Sequence, residues 1–222
     1  MKVCKFERMN NEDEVKQVIG CIQKEHPYVA VIPVLTQLQE WLQAISVSWF
    51  HEEDETSHTI VNAIEEYCRT LTDRLISDRK LNQDMKVQIE KCIEKIQVLV
   101  EDKADLLTDK IIKAEVYGLS NELFACCLRQ QGLRAQTLDT GKFMQINLER
   151  KPDIPYIKES VQQYISEKRD ADIFIAPLSL CKNVYGETDF MNEKRNDYYA
   201  TVLAPAFGAD ELLLSTQINH IY

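Results

Sequence analysis

Charged side chains gather just ahead of one helix near the end of this 222-residue chain. Glu193, Lys194 and Arg195 precede Asn196 and Asp197. Before them, Ala171–Pro177 reads as an apolar strand, followed by a turn-rich segment to Met191. After them come an apolar helix and a further strand over Ala209–Thr216. Strand, loop, helix, strand is the order of a right-handed parallel crossover. Ligands of open α/β sheets bind beyond the carboxyl ends of such strands. Lys194 and Arg195 suit an anion there, since Arg grips phosphate bidentately. Asp197 falls in the first turn of that helix, where the dipole favours an acid.

A backbone cradle for phosphate uses clustered glycine. The chain has 6 Gly, no two of them adjacent, so a nucleotide-dependent activity lacks its usual local chemistry. The 7 Cys form no CxxC pair and fall mostly in apolar patterns, which reads as reduced core thiols in a cytoplasmic protein. His51, Glu52, Asp54 and His58 have a spacing that a metal would tolerate, but the run reads better as a solvated helix start. No metal is expected. A net charge of −10 argues against a nucleic-acid surface, and no signal peptide or membrane span is visible.

The elements that position these residues alternate. Lys2–Phe6 reads as a short strand. Asn10 or Asn11 caps a helix whose stripe is Val15, Val18, Ile19 and Ile22. Tyr28–Val34 is continuously apolar, as a strand covered on both faces is. A helix over Gln37–Val47 follows. From residue 50 to 116 the pattern is helical, with stripes at Ile60, Ile64, Tyr67, Cys68, Leu71 and Leu75, and at Met85, Ile89, Cys92, Ile93, Ile96 and Val100. The first two helices there suit an antiparallel hairpin. Two more are expected at Asp105–Val116 and Leu119–Gln131, then strands at Arg134–Asp139 and Phe143–Asn147, and a helix opened by Lys151–Pro155. The organisation expected is one α/β domain over 1–222, with 50–116 as an inserted helical subdomain.

Six segments, in order, resemble the aspartokinases of the amino acid kinase family. Met1–Phe6 is similar to the opening Lys-Phe-Gly-Gly-Thr-Ser. Leu107–Asp109 resembles the approach to Ser-x-Gly-Glu, and Leu128–Asp139 its helix-to-strand passage. Asn196–Ala200 resembles the end of Gly-Arg-Gly-Gly-Ser-Asp-Tyr-Thr-Ala. Phe207–Glu211 and Thr216–Tyr222 resemble Leu-Gly-Ala-Asp-Glu and Thr-Asp-Val-Asp-Gly-Ile-Tyr. The resemblance implies a three-layer α/β sandwich with a mostly parallel sheet. It also implies ATP and Mg as reaction partners and L-aspartate as phosphoryl acceptor. In the family, the rest of the nucleotide site and regulatory domains would follow Tyr222.

By resemblance, Lys5 neutralises the phosphoryl oxygens and Asp197 is the second catalytic position. Arg195 and Thr216 fall on the nucleotide side, and Glu115 and Tyr198 on the amino-acid side. Lys5 on a short strand is also readable as merely solvated. The departures fall on the phosphate turns. Glu7 and Arg8 stand where two glycines should be, and Met9 replaces a hydroxyl. Tyr117 falls near the Ser-x-Gly-Glu acid, so Glu115 would serve only by a register shift. Pro33 and Val34 replace a small Ser-Ala pair. Asn192–Arg195 replace Gly-Arg-Gly-Gly, and Gln217, Asn219 and His220 replace Asp, Asp and Gly.

Phosphoryl transfer rests on positioning and charge stabilisation. The expectation is therefore an aspartokinase-like protein that has lost catalysis, needs no cofactor, and keeps a role in binding an amino acid such as L-aspartate or in pairing, as a homodimer or with another chain. The competing reading is an active kinase, using ATP and Mg, in which Lys5, Arg8, Lys194 or Arg195 hold phosphate by side chains. The orientation of Glu7 and Glu193 separates the two.

Overall fold

The protein is described by a computed structural model covering residues 1–51, 54–101, 105–166, 168, 170–191 and 196–214. Strand β1 (Lys2–Lys5) leads to helix α1 (Glu12–Glu25), β2 (Val29–Ile32) and α2 (Thr36–Phe50). Three long helices follow: α3 (Asp54–Leu75), α4 (Arg79–Glu101) and α5 (Leu106–Arg129). The chain then forms β3 (Ala135–Thr137), a short 3-10 turn (Thr140–Lys142), α6 (Ile154–Ser166) and β4 (Ile173–Pro177). A hairpin of β5 (Leu180–Lys182) and β6 (Thr188–Phe190), helix α7 (Asn196–Ala206) and β7 (Glu211–Leu214) complete it.

Five strands form one sheet in the order β3-β4-β2-β1-β7, and every neighbouring pair is parallel. Successive residues of a strand face opposite sides, and both sides here are apolar. Cys4, Ala30, Ile32, Ile173 and Ile175 join a core shared with α1 to α5. Val3, Val29, Val31, Phe174 and Ala176 join a second core shared with α6 and α7. The result is a three-layer α/β sandwich, and the continuous apolarity of residues 28–34 is the mark of a strand buried twice.

Local chemistry fixes the ends of these elements. Asn11 caps α1 by accepting the Glu14 N–H at 3.0 Å, and Glu14 Oε2 accepts the Asn10 N–H at 2.8 Å. The pair is a variant of the capping box, in which Glu14 reaches the N–H one residue before the Asn11 cap. His26 closes α1 in the left-handed region at φ 46°, just before Pro27. Asp105 caps α5 by accepting the Thr108 N–H at 2.7 Å. The predicted stripes of α1 and α4 are all buried.

Three sequence expectations need correction. The helices expected at Asp105–Val116 and Leu119–Gln131 are one uninterrupted α5, because Gly118 interrupts neither the turn geometry nor the burial around it. Residues 143–147 are no strand. They make only isolated bridges, Gln145 to Lys182 and Ile146 to Pro152, after a 3-10 turn anchored by Thr140 Oγ1 on the Leu180 carbonyl. The turn-rich stretch before Met191 contains the β5–β6 hairpin, reversed at Gly186 with φ +78°. All 7 cysteines are free and buried. Among the described residues no helix is long and apolar enough to cross a membrane, and no group of His, Cys, Asp and Glu is placed to hold a metal ion. Of the spaced run at residues 51–58, Glu52 lies outside the described residues.

Candidate functional site

Lys5 is the last residue of β1, and the alternation that turns Val3 toward α7 turns Lys5 the same way. Its side chain is not solvated. The residue is 1% exposed, and such burial of an ammonium requires counter-charge. Two carboxylates supply it. Lys5 Nζ donates to Glu7 Oε1 at 2.5 Å and lies 3.1 Å from Asp197 Oδ1 in the first turn of α7. The sheet and the crossover helix thus bring together the two residues singled out as catalytic. They also bring in Glu7, at a position the resemblance gives to glycine.

The turn after β1 is held in place from below. Met9 is fully buried, its carbonyl accepts the Thr36 N–H at 3.0 Å, and Thr36 Oγ1 donates to Asn10 Oδ1 at 2.9 Å. With Phe6 N–H on the Val31 carbonyl at 3.0 Å, the backbone on both sides of Glu7 is anchored. One ammonium between two carboxylates leaves net negative charge, which repels a phosphate at this spot.

Beside this triad lies a small cavity of about 20 Å³, lined by Arg8, Pro33, Val34, Tyr117 and Ser179 among others. That is room for about one water. Tyr117 fills the place where the resemblance puts an acid. Its ring packs edge-on against Phe190 at 5.3 Å between centroids. Glu115 does not replace that acid: it lines a separate, larger cleft and pairs with Lys95 of α4. Tyr198 does not face Lys5 either. It is half exposed and lines a groove between α6 and α7 with Ile154, Val202 and Pro205. Its neighbour Tyr199 is fully buried, and burial pushes its phenol well up. Arg195, Thr216 and Glu193 lie outside the described residues.

Sequence reasoning missed one buried carboxylate. Asp189 in β6 is 3% exposed and lies 3.0 Å from Arg150 and 3.1 Å from Lys110 of α5. Burial pushes its carboxyl up, but the Phe190 N–H at 2.8 Å, Arg150 and Lys110 together outweigh this and hold it below its ordinary value. It ties the hairpin to α5. The one available signal was an acid at a buried position of a period-2 strand, and that strand is too short to stand out.

The resemblance implies ATP and Mg, and the described residues at the carboxyl end of β1 do not fit a phosphate. Among them the only buried cation is already paired with Glu7, and no glycine lies in the Glu7–Asn10 turn.

No family model and no curated protein matches the sequence. Solved structures do. E. coli aspartokinase III in complex with lysine and aspartate (T-state) superposes with TM-score 0.82 at 20% identity, covering 98% of this chain and 49% of that one. The same enzyme with aspartate and ADP (R-state) gives 0.79 at 20% identity, over 96% and 48%. Clostridium acetobutylicum aspartate kinase gives 0.73 at 11% identity, over 96% and 47%. The chain spans about half the length of these structures, and over that span it has the aspartokinase fold.

Proposed function

We propose that this chain is an aspartokinase-like protein without phosphoryl transfer, which acts by binding a small ligand or a second protein chain. The observation that carries the reading is the Glu7 carboxylate on Lys5 at 2.5 Å. A lysine that must neutralise a transferring phosphoryl group already has its counter-ion, built into the chain two residues away. The 20 Å³ cavity beside Tyr117 supports the same reading, because an amino acid does not fit it. The solved neighbours hold aspartate, ADP or lysine; on this reading neither nucleotide nor aspartate occupies the corresponding turns here. Seven free buried thiols agree with a reducing compartment, and we take the protein to be cytoplasmic.

The second reading is an active kinase that uses ATP and Mg and phosphorylates the L-aspartate β-carboxylate. It is favoured by the Lys5–Asp197 contact at 3.1 Å, with Arg8 exposed three residues along the chain from Lys5. Calorimetric titration of the chain with ATP and Mg, with and without L-aspartate, separates the two. The degenerate reading expects no saturable heat at millimolar nucleotide that depends on Lys5. Saturable heat that Lys5→Ala abolishes would establish the active one.

A further inference from the structure

A large cleft among the described residues lies apart from the Lys5 site. It has a volume of about 840 Å³ and lies between α4, α5, the 3-10 turn and the β5–β6 hairpin, within the size range of small-molecule sites. Lys5 is not among its lining residues.

Three independent features of the cleft point to an anionic ligand. The first is charge. In a chain of net charge −10, five lysines line this one cleft against three carboxylates: Lys91, Lys95, Lys142, Lys168 and Lys182. All three carboxylates are engaged, Glu115 by Lys95, Glu122 by Arg129 and Asp139 by Lys142 at 3.7 Å, which leaves Lys91, Lys168 and Lys182 without a carboxylate among the described residues. Lys182 Nζ has only a hydroxyl, Thr188 Oγ1 at 3.0 Å, and Lys168 lies over the Tyr164 ring at 5.2 Å and reaches the Thr137 carbonyl at 3.4 Å. Lys91 has no ion-pair or hydrogen-bond partner among the described residues. Concentrated positive potential in a walled cleft draws anions.

The second is Asn121. It lines the cleft at 2% exposure, yet its Nδ2 has no hydrogen-bond partner among the described residues. A buried amide left unpaired costs about 1–3 kcal/mol, and an acceptor on a ligand would satisfy it.

The third is Gly118, one turn before Asn121 on the same helix. Glycine inside a helix costs about 1 kcal/mol relative to alanine. The fold does not ask for it: a Cβ there would meet nothing within 4 Å, and no positive φ is involved. What a side chain at 118 would fill is the cleft.

From these features we infer that the cleft binds a small phosphorylated molecule, gripped by lysine point charges and by the Asn121 amide. Phosphate is preferred to a carboxylate because its higher charge and several oxygens can engage more than one lysine point charge at once, and the lining is lysine-rich. The cleft binds and does not react: burial pushes the Cys92 and Cys181 thiols on its wall up to about 12, so neither offers a thiolate.

The test titrates the metal-free chain with inorganic pyrophosphate and with glucose 6-phosphate by calorimetry. Saturable heat with either probe is expected. Gly118→Leu should weaken it about tenfold or more without lowering Tm, and Lys91→Ala should weaken it severalfold and flatten its salt dependence. Lys5→Ala should leave it unchanged, which keeps this result separate from the kinase question. Absence of saturable heat with both probes overturns the inference, as does heat that survives Gly118→Leu. Should Gly118→Leu not fold, unchanged binding by Lys91→Ala overturns it instead.

Discussion

Two regions of this molecule carry lysine at the carboxyl side of the sheet, and they differ in what their lysines face. Lys5 is buried, with Glu7 at 2.5 Å and Asp197 at 3.1 Å. The lysines of the cleft beneath α4 and α5 are partly or fully exposed. Lys95 and Lys142 face Glu115 and Asp139, but Lys91 Nζ is unpaired among the described residues and Lys182 Nζ meets a hydroxyl. The presence of lysine does not make an anion site. The distance to the nearest carboxylate decides it, because an ammonium already paired offers an incoming anion little net attraction. The region that resembles a phosphate site by position is electrostatically closed, and the region with no such resemblance is open.

Substitutions test this contrast. The largest stability effect is expected at the closed site. Lys5→Ala empties the buried space of the lysine stem and leaves two partly exposed carboxylates beside one another, a loss of about 3 kcal/mol by analogy with other long side chains cut to alanine. Urea denaturation should show this loss; a loss within error would mean that Lys5 is not held as described. Next in size is Asp189→Ala, which unties the β5–β6 hairpin from Arg150 and Lys110 and should cost about 2 kcal/mol. Because the folded-state pKa of Asp189 is lowered, its contribution is present above the ordinary carboxylate value of 3.8 and lost as pH falls through the folded value. The gap between wild type and Asp189→Ala should therefore narrow in acid. The smallest effect has the opposite sign. Gly118→Ala should stabilise by about 1 kcal/mol, since the new Cβ meets nothing. A destabilised variant would show that the glycine serves the helix and not the cleft.

The parallel sheet and its two covered faces were legible in the sequence because doubly buried strands leave continuous apolar runs, as at Val29–Ile32 and Ile173–Pro177. The stripes of α1 and α4 were legible for the same kind of reason. The hairpin was not, since three-residue strands hold too little pattern to register. Nor was the continuity of α5, where Gly118 resembles a break until its surroundings are known. At the candidate site, Lys5 and Asp197 were readable by resemblance, and the structure brings them together. Glu115 and Tyr198 were also assigned by resemblance, Glu115 through a register shift, and helix phase carries each to a different face. The cleft could not be read at all: its lysines come from α4, the 3-10 turn, the segment after α6 and β5, and their convergence is a property of the packing alone.

The central claim is that Glu7 closes the Lys5 site to phosphate. It is tested most directly by titrating ATP and Mg, with L-aspartate, into wild-type chain and into Glu7→Gly. The account predicts no saturable heat for wild type at millimolar nucleotide that depends on Lys5. Saturable binding to wild type that is abolished by Lys5→Ala, and unchanged by Glu7→Gly, would contradict it.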